Sequence, residues 1–536
     1  MGATTYTHDS LGRVTSVKDG NGNTTRYDYD VRDRIVLTTY QDGQTVTSTY
    51  LANGLEDTRA DSGGGAINFD YNHQGLILKQ TGPRAGVTQT MTYDEVGNML
   101  TYADSGGTVT YSYDAANQLT RLQEPGGTCP ASGVPAANSG CVLFEYNNNS
   151  LETKRTTPGG ATTVTTRDAS DRPTRITSKT GAGAVSVDIG YSYAAAASGD
   201  RGQVQARTSF KEEGIVAGAV TGFTYDSRGR VTLAQEKNGA AVTASWAYAY
   251  DGAGNRTSQT RAGTTGAPAG ATTFGYNAAN QLTSATGQAA TWTYDGTGNQ
   301  TRSGLTGVSS TYGDRAETTT TGSSTNTFFG TGNTDRLSSG AVTFNNSAIG
   351  LMQRVTSGAT VNYTRTPDGT VVGQRGASPS YYIQDHLGSV VGLATAAGGY
   401  SGGYSYSPYG EARFTSTNAA VAANNLRYIG EHQDSTGVYK LGARFYDPGQ
   451  GRFTQMDPSG QERSPYSYAA CDPVNLSDST GLDVSADCWR QAGALIGPWI
   501  EAIANPLPWM KVYHVVEGIN NFNDEPKEGA YFVCDQ

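Results

Sequence analysis

The chain has 536 residues, enough for several domains, yet only 16% are charged and Gly (70) and Tyr (33) are abundant. Its formal net charge of −10 excludes a broad nucleic-acid surface, because phosphate binding needs clustered Lys and Arg. No apolar run approaches the ~18 residues that a membrane-spanning helix requires.

At the N-terminus, Met1-Gly2-Ala3 leads straight into a repeat without a signal peptide, which reads as an artificial or internal start within a longer protein. Repetition then organises the first four hundred residues. "YTHDSLGRVTSV" at 6–17 recurs as "YDYDVRDRIVLT", "MTYDEVGNMLTY", "YSYDAANQLTRL", "FTYDSRGRVTLA", "YAYDGAGNRTSQ", "FGYNAANQLTSA" and "WTYDGTGNQTRS". Tyr29, Tyr71, Tyr93, Tyr113, Tyr225, Tyr250, Tyr276 and Tyr294 anchor the units, mostly 18 to 26 residues apart. Alternation of period two predicts a strand running into each Tyr-Asp, and the following Gly or Asn reverses the chain. One hairpin cannot bury its apolar face, so neighbours must stack into a continuous sheet. Each Asp is expected to bond turn amides, and each Tyr to pack on the next unit.

These units resemble the YD repeats of the Rhs/YD-repeat family, related to Tc-toxin C components and teneurins. The resemblance implies an all-β spiral wound into a hollow shell, closed or partial, over residues 1–376. In that reading the Tyr-Asp residues are structural; the rival is sugar binding by tyrosine ladders.

Cys129 and Cys141 bracket the loop "TCPASGVPAANSGC", and Cys488 and Cys534 bracket nearly all of the final segment. Two loop-closing disulfides are expected, as in an exported protein, with Cys471 left over. From about residue 377 the chain resembles the core-associated segment of the same family, through "YYIQDHLGSVVGL", "YSYSPYGEARF" and "LRYIGEHQDSTGVYKLGARFYDPGQGRFTQMDP". His386 is read as a packing or turn-bonding residue. No Cys/His set has metal-ligand spacing and no Gly loop suits a phosphate, so no cofactor or metal is expected.

Asp457-Pro-Ser-Gly and Asp478-Ser-Thr-Gly-Leu follow. Each is an ordinary turn sequence by itself. As a pair, two carboxyls held close share a proton, so one acts as acid and the other as base. Leu482 and Asp483 lie just beyond Asp478, so their peptide bond is a tethered substrate, and Arg452 is placed to orient a carboxylate or lower its pKa. Rhs proteins and Tc-toxin C components cut themselves after the Leu of such an element. Carried onto this chain, the resemblance implies Asp457 and Asp478 as the catalytic pair and a cut after Leu482. Ser479 replaces the usual Pro, and the stretch between the acids is about two residues short.

Residues 483–536 differ, with eight Asp/Glu against three Lys/Arg and apolar residues at helical spacing. Two or three short helices are expected there. The resemblance makes this the variable segment, a small toxin or its remnant, and the shell's enclosed cargo. An immunity protein or a secretion-system component is the implied partner, and a secreted or cell-surface location follows. Residues 377–482 are then the core-associated segment that does the cutting. The alternative is a non-enzymatic surface protein for adhesion or carbohydrate binding.

Overall fold

The computed structural model describes residues 2–482, apart from 196–198, 201, 267–268, 289–291, 303–307, 311–315, 320–323, 330–333 and 459–463. The described chain is almost entirely antiparallel β, with one short α-helix at Ala419–Ala423. The helices expected after residue 483 lie outside the described residues.

The repeat grammar is met unit by unit. Strands end on the anchoring tyrosine at Thr24–Tyr29, Gly65–Tyr71, Thr88–Tyr93, Gly107–Tyr113, Ala241–Tyr250 and Gly270–Tyr276. The next residue, Asp or Asn, then closes a turn with its side chain. Asp94 Oδ1 accepts the amides of Val96 and Asn98 at 3.1 and 2.8 Å, and Asp251 Oδ1 accepts those of Ala253 and Asn255 at 2.9 Å each. The turn needs one left-handed residue, filled by Gly97 (φ +95°) in one unit, by Asn117 (φ +60°) in another and by Asp33 (φ +62°) in a third, Gly bearing that conformation most easily.

The tyrosines differ from expectation in direction: they reach back to the preceding unit. Tyr29 Oη donates to the Val14 carbonyl at 2.7 Å, Tyr93 to Ile77 at 3.0 Å and Tyr250 to Val231 at 2.7 Å. Register slips by one residue at each anchoring tyrosine, between Asp28 and Tyr29 and between Ala249 and Tyr250, for example. Such a bulge re-aims the side chain along the sheet. The Tyr250 ring is half-buried against the core, under the Arg230 guanidinium at 4.8 Å. Tyr250→Ala is therefore expected to cost about 2–3 kcal/mol, less than a fully buried ring. A shift of the denaturation midpoint by only a few tenths would contradict this packing.

Hairpins pair serially into a 24-stranded sheet, then a 12-stranded one, then a four-stranded one. Pairing runs unbroken across 376 and 377, since Gly373 stands opposite Tyr381. The second sheet lies along the first in order. Arg84 bonds Asn345, Tyr111 bonds the Arg365 carbonyl, Glu124 bonds Thr364 and Tyr381, and Arg155 bonds Gln384. Further along, Gly181 bonds Gly398 and Glu236 bonds Arg413. Those separations fall from 261 residues to 177, as expected of successive turns of one spiral. The core lies between these turns, around Val109, Tyr111, Leu122, Val187, Val372 and Val391. Cys129 and Cys141 form a disulfide with their Cα atoms 5.1 Å apart. Cys471 is buried, and its Sγ donates to the Gly254 carbonyl at 3.1 Å. Cys488 and Cys534 lie outside the described residues.

Candidate functional site

Four short strands, His432–Gln433, Tyr439–Leu441, Arg444–Asp447 and Arg452–Phe453, pair in sequence order. Their aromatic side chains pack with Tyr428 and Tyr468; the Tyr446 and Tyr468 rings are 4.2 Å apart. The turn between the second and third strands is pressed against residues 480–481. A Cβ on Gly442 would sit 1.8 Å from the Thr480 carbonyl oxygen, and one on Gly481 would sit 2.4 Å from that of Leu441. Only glycine permits this approach. It lets the Ala443 amide donate to the Thr480 carbonyl at 2.8 Å and draws the chain before Leu482 onto the sheet.

Arg444 gathers the site. Its guanidinium is fully buried, 3.6 Å over the Phe453 ring. Nε donates to the Gly481 carbonyl at 2.5 Å, Nη1 to the Pro465 carbonyl at 3.1 Å and Nη2 to Asp478 Oδ2 at 3.1 Å. The same Pro465 carbonyl accepts the Asp457 amide at 2.7 Å. One cation thus ties the Asp457 loop, the Asp478 carboxyl group and the peptide just before Leu482. Asp457 and Asp478 are both buried, 3% and 1% exposed. Asp478 Oδ1 accepts the Thr480 hydroxyl at 3.1 Å and the Leu482 amide at 3.3 Å. Burial pushes the Asp478 carboxyl above its usual range, against the pull of Arg444.

Arg452, expected to serve a carboxylate, is directed elsewhere. It donates to the Asn280 carbonyl at 2.6 Å and lies over the Tyr276 and Tyr466 rings at 4.9 and 4.8 Å. It stands opposite Asp447 in the ladder and packs on the repeat turns, whereas Arg444 opens the neighbouring strand and points at Asp478. The sequence signal for Arg444 was an arginine inside the apolar strand "ARFYD", a position that demands a buried partner. His386 is a packing residue: Nε2 bonds the Val474 carbonyl at 2.8 Å and its ring lies 4.4 Å from that of Tyr191. Leu482 is the last described residue before the bond expected to be cut; Asp483 lies outside. No cluster of His, Cys, Asp and Glu suited to a metal occurs among the described residues.

A third buried acid was not foreseen. Asp472 accepts Gln203 Nε2 at 2.7 Å and Asn475 Nδ2 at 2.9 Å, while Asn475 Oδ1 accepts the Val204 amide at 2.7 Å. This latch fastens the terminal segment to the repeats. Burial raises the Asp472 pKa to about 6. The folded state therefore holds this proton more tightly than the unfolded chain. The contribution is most favourable below about pH 4 and is lost as pH rises to about 6, by about 3 kcal/mol. Asp472→Asn should stabilise the protein near pH 7 and have little effect near pH 4. Equal midpoint shifts at both pH values would contradict the assignment.

The RHS Repeat family model matches residues 8–47, 71–109 and 93–128. Salivary gland surface protein 1 of Aedes aegypti is 37% identical over 139 residues, covering 24% of this chain and 4% of that protein. The tRNA3(Ser)-specific nuclease WapA of Bacillus spizizenii is 26% identical over 293 residues, covering 49% of this chain and 11% of that protein. The chain thus spans a small part of these relatives. The crystal structure of TcdB2-TccC3 without its hypervariable C-terminal region superposes with a TM-score of 0.69 at 16% identity, over 90% of this chain and 27% of that one. At that identity the likeness concerns the fold.

Proposed function

From a chain that is an Rhs/YD-repeat protein with the fold of the Tc-toxin shell, we propose a shell that encloses its own C-terminal segment and releases it by cutting after Leu482. The observation that carries this reading is the Arg444 guanidinium, shared by Asp478, the Gly481 carbonyl and the Pro465 carbonyl that holds Asp457. A self-cutting site needs two acids and a fixed peptide, and one residue here restrains all three.

The roles divide by environment. Asp478, raised by burial, keeps a proton to higher pH and is the acid. Asp457 is the base and removes a proton from water. The water oxygen bonds to the Leu482 carbonyl carbon, and the Asp483 nitrogen leaves with the proton from Asp478. Arg444 positions the chain, and tethering makes the attack intramolecular. Residues 1–376 would form the spiral wall, 377–482 the processing segment, and 483–536 the cargo. The proposed division is one of role; sheet pairing runs across it, with Gly373 opposite Tyr381. An immunity protein or secretion-system component would then be the partner, at the cell surface or after secretion.

The second reading, a non-enzymatic surface protein for adhesion or carbohydrate binding, is favoured by the likeness to a salivary surface protein. Mass spectrometry of freshly purified denatured protein separates the two. Self-cutting predicts a shell ending at Leu482 and a fragment beginning at Asp483. Full mass after prolonged incubation, from about pH 4 to about pH 8, would leave only the second reading.

A further inference from the structure

Apart from the acids, two buried arginines face one small cavity between the repeat turns and the terminal sheet. Arg256 and Arg452 are each about 5% exposed and both line it. Neither forms an ion pair among the described residues. Arg256 spends Nη2 on the Gly449 carbonyl at 3.0 Å, and Arg452 spends Nη2 on the Asn280 carbonyl. Arg256 Nε and Nη1 and Arg452 Nε are buried without a hydrogen-bond partner. The Asp447 carboxylate on the same loop is turned to the amides of Gly449 and Gln450, at 2.9 and 3.1 Å. Gln450, 4% exposed, also lines the cavity and leaves both side-chain amide atoms unbonded.

A guanidinium cannot shed its charge; the Asp447 carboxyl lies within electrostatic reach of Arg256 and offsets part of it, but it is bonded to backbone amides rather than to the guanidinium. Aromatic faces offset part of it: Tyr409 lies 4.7 Å from Arg256, and Tyr276 lies 4.9 Å from Arg452. The Tyr276 hydroxyl also interacts with Arg452, but Arg256 Nε and Nη1 and Arg452 Nε still lack a bonded acceptor. Gly451 keeps space beside those donors, since a Cβ there would sit 2.7 Å from Arg256 Nη1. The cavity has room for one water-sized occupant and none for a phosphate. Two cations, an amide donor and room for one atom suit a small monovalent anion.

We propose that this cavity binds one chloride-sized anion between Arg256, Arg452 and Gln450, fastening the terminal sheet to the repeat turns. The site is independent of self-cutting. The test uses the full chain in potassium chloride and potassium gluconate at equal ionic strength. The apparent unfolding midpoint should rise with chloride and not with gluconate, as ligand linkage requires. Crystals grown in bromide should show an anomalous peak in the cavity. Gln450→Leu keeps both cations, and it should raise the chloride concentration for half the effect by about tenfold. Arg256→Gln should abolish the chloride effect; if that variant fails to fold, Gln450→Leu decides. Equal midpoints in the two salts, or equal chloride responses of wild type and Gln450→Leu, would overturn the site and leave water there.

Discussion

Asp478→Asn and Asp457→Asn should each leave the chain at full mass under conditions in which the wild type is cut. Each removes one end of the proton transfer, and neither half works alone. The double variant should therefore be no worse than either single, the non-additivity expected of groups acting as a unit. Arg444→Gln should also block cutting, because it frees the Asp478 carboxylate and the Gly481 carbonyl together. Arg444→Lys should rescue little, since one ammonium cannot replace three directed bonds. Arg452→Gln should leave cutting near the wild-type rate, because its contacts are with Asn280 and the aromatic rings. Cutting lost with Arg452→Gln and kept with Arg444→Gln would exchange the roles of the two arginines. The rate should not change on dilution, since catalyst and substrate are one chain.

Glu236→Ala should destabilise the protein by about 4 kcal/mol, in the range for breaking a buried ion pair from one side. Glu236 is fully buried and holds Arg413, itself 4% exposed, with Nη1 to Oε2 at 2.8 Å. The pair joins two turns of the spiral at a separation of 177 residues. Arg413→Met added to Glu236→Ala should recover much of the loss, because it removes the stranded cation. Arg413, its largest favourable partner, and neighbouring hydroxyls hold the Glu236 carboxyl below its usual range despite burial. This contribution is present above the unfolded pKa of about 4.5 and is lost as pH falls through the lower folded value. Chemical denaturation at near-neutral and acidic pH measures both effects. A loss under about 1 kcal/mol would mean that the pair is solvated and the turns are not held there.

Much of the wall was legible because its rules are local. A strand ending on Tyr250, the Asp251 turn behind it and the left-handed residue that closes it lie within a few positions and recur. The tyrosine direction was not legible. Whether the Tyr250 hydroxyl turns toward Val231 or toward the next unit depends on the one-residue slip between Ala249 and Tyr250, a property of two paired strands. The acids stand out in the sequence by their turns; which arginine bonds Asp478 does not, and it is Arg444 rather than Arg452. Arg452 and Arg444 are both basic residues just ahead of Asp457, and proximity in sequence favoured the nearer.

Composition and period by themselves determined an all-β chain of repeated hairpins; placement marked the loop-closing pair at Cys129 and Cys141, and the family resemblance pointed to Asp457 and Asp478. Tertiary structure alone decided which turns of the spiral meet, as Glu124 with Tyr381 or Glu236 with Arg413. It also decided that Arg444 serves Asp478 and that Gly442 and Gly481 admit the chain beside it. The reason is physical: hairpins and turns are written in the bonding of neighbours. A buried charge takes its partner from whatever the winding brings within about 3 Å, at sequence separations that no local pattern encodes.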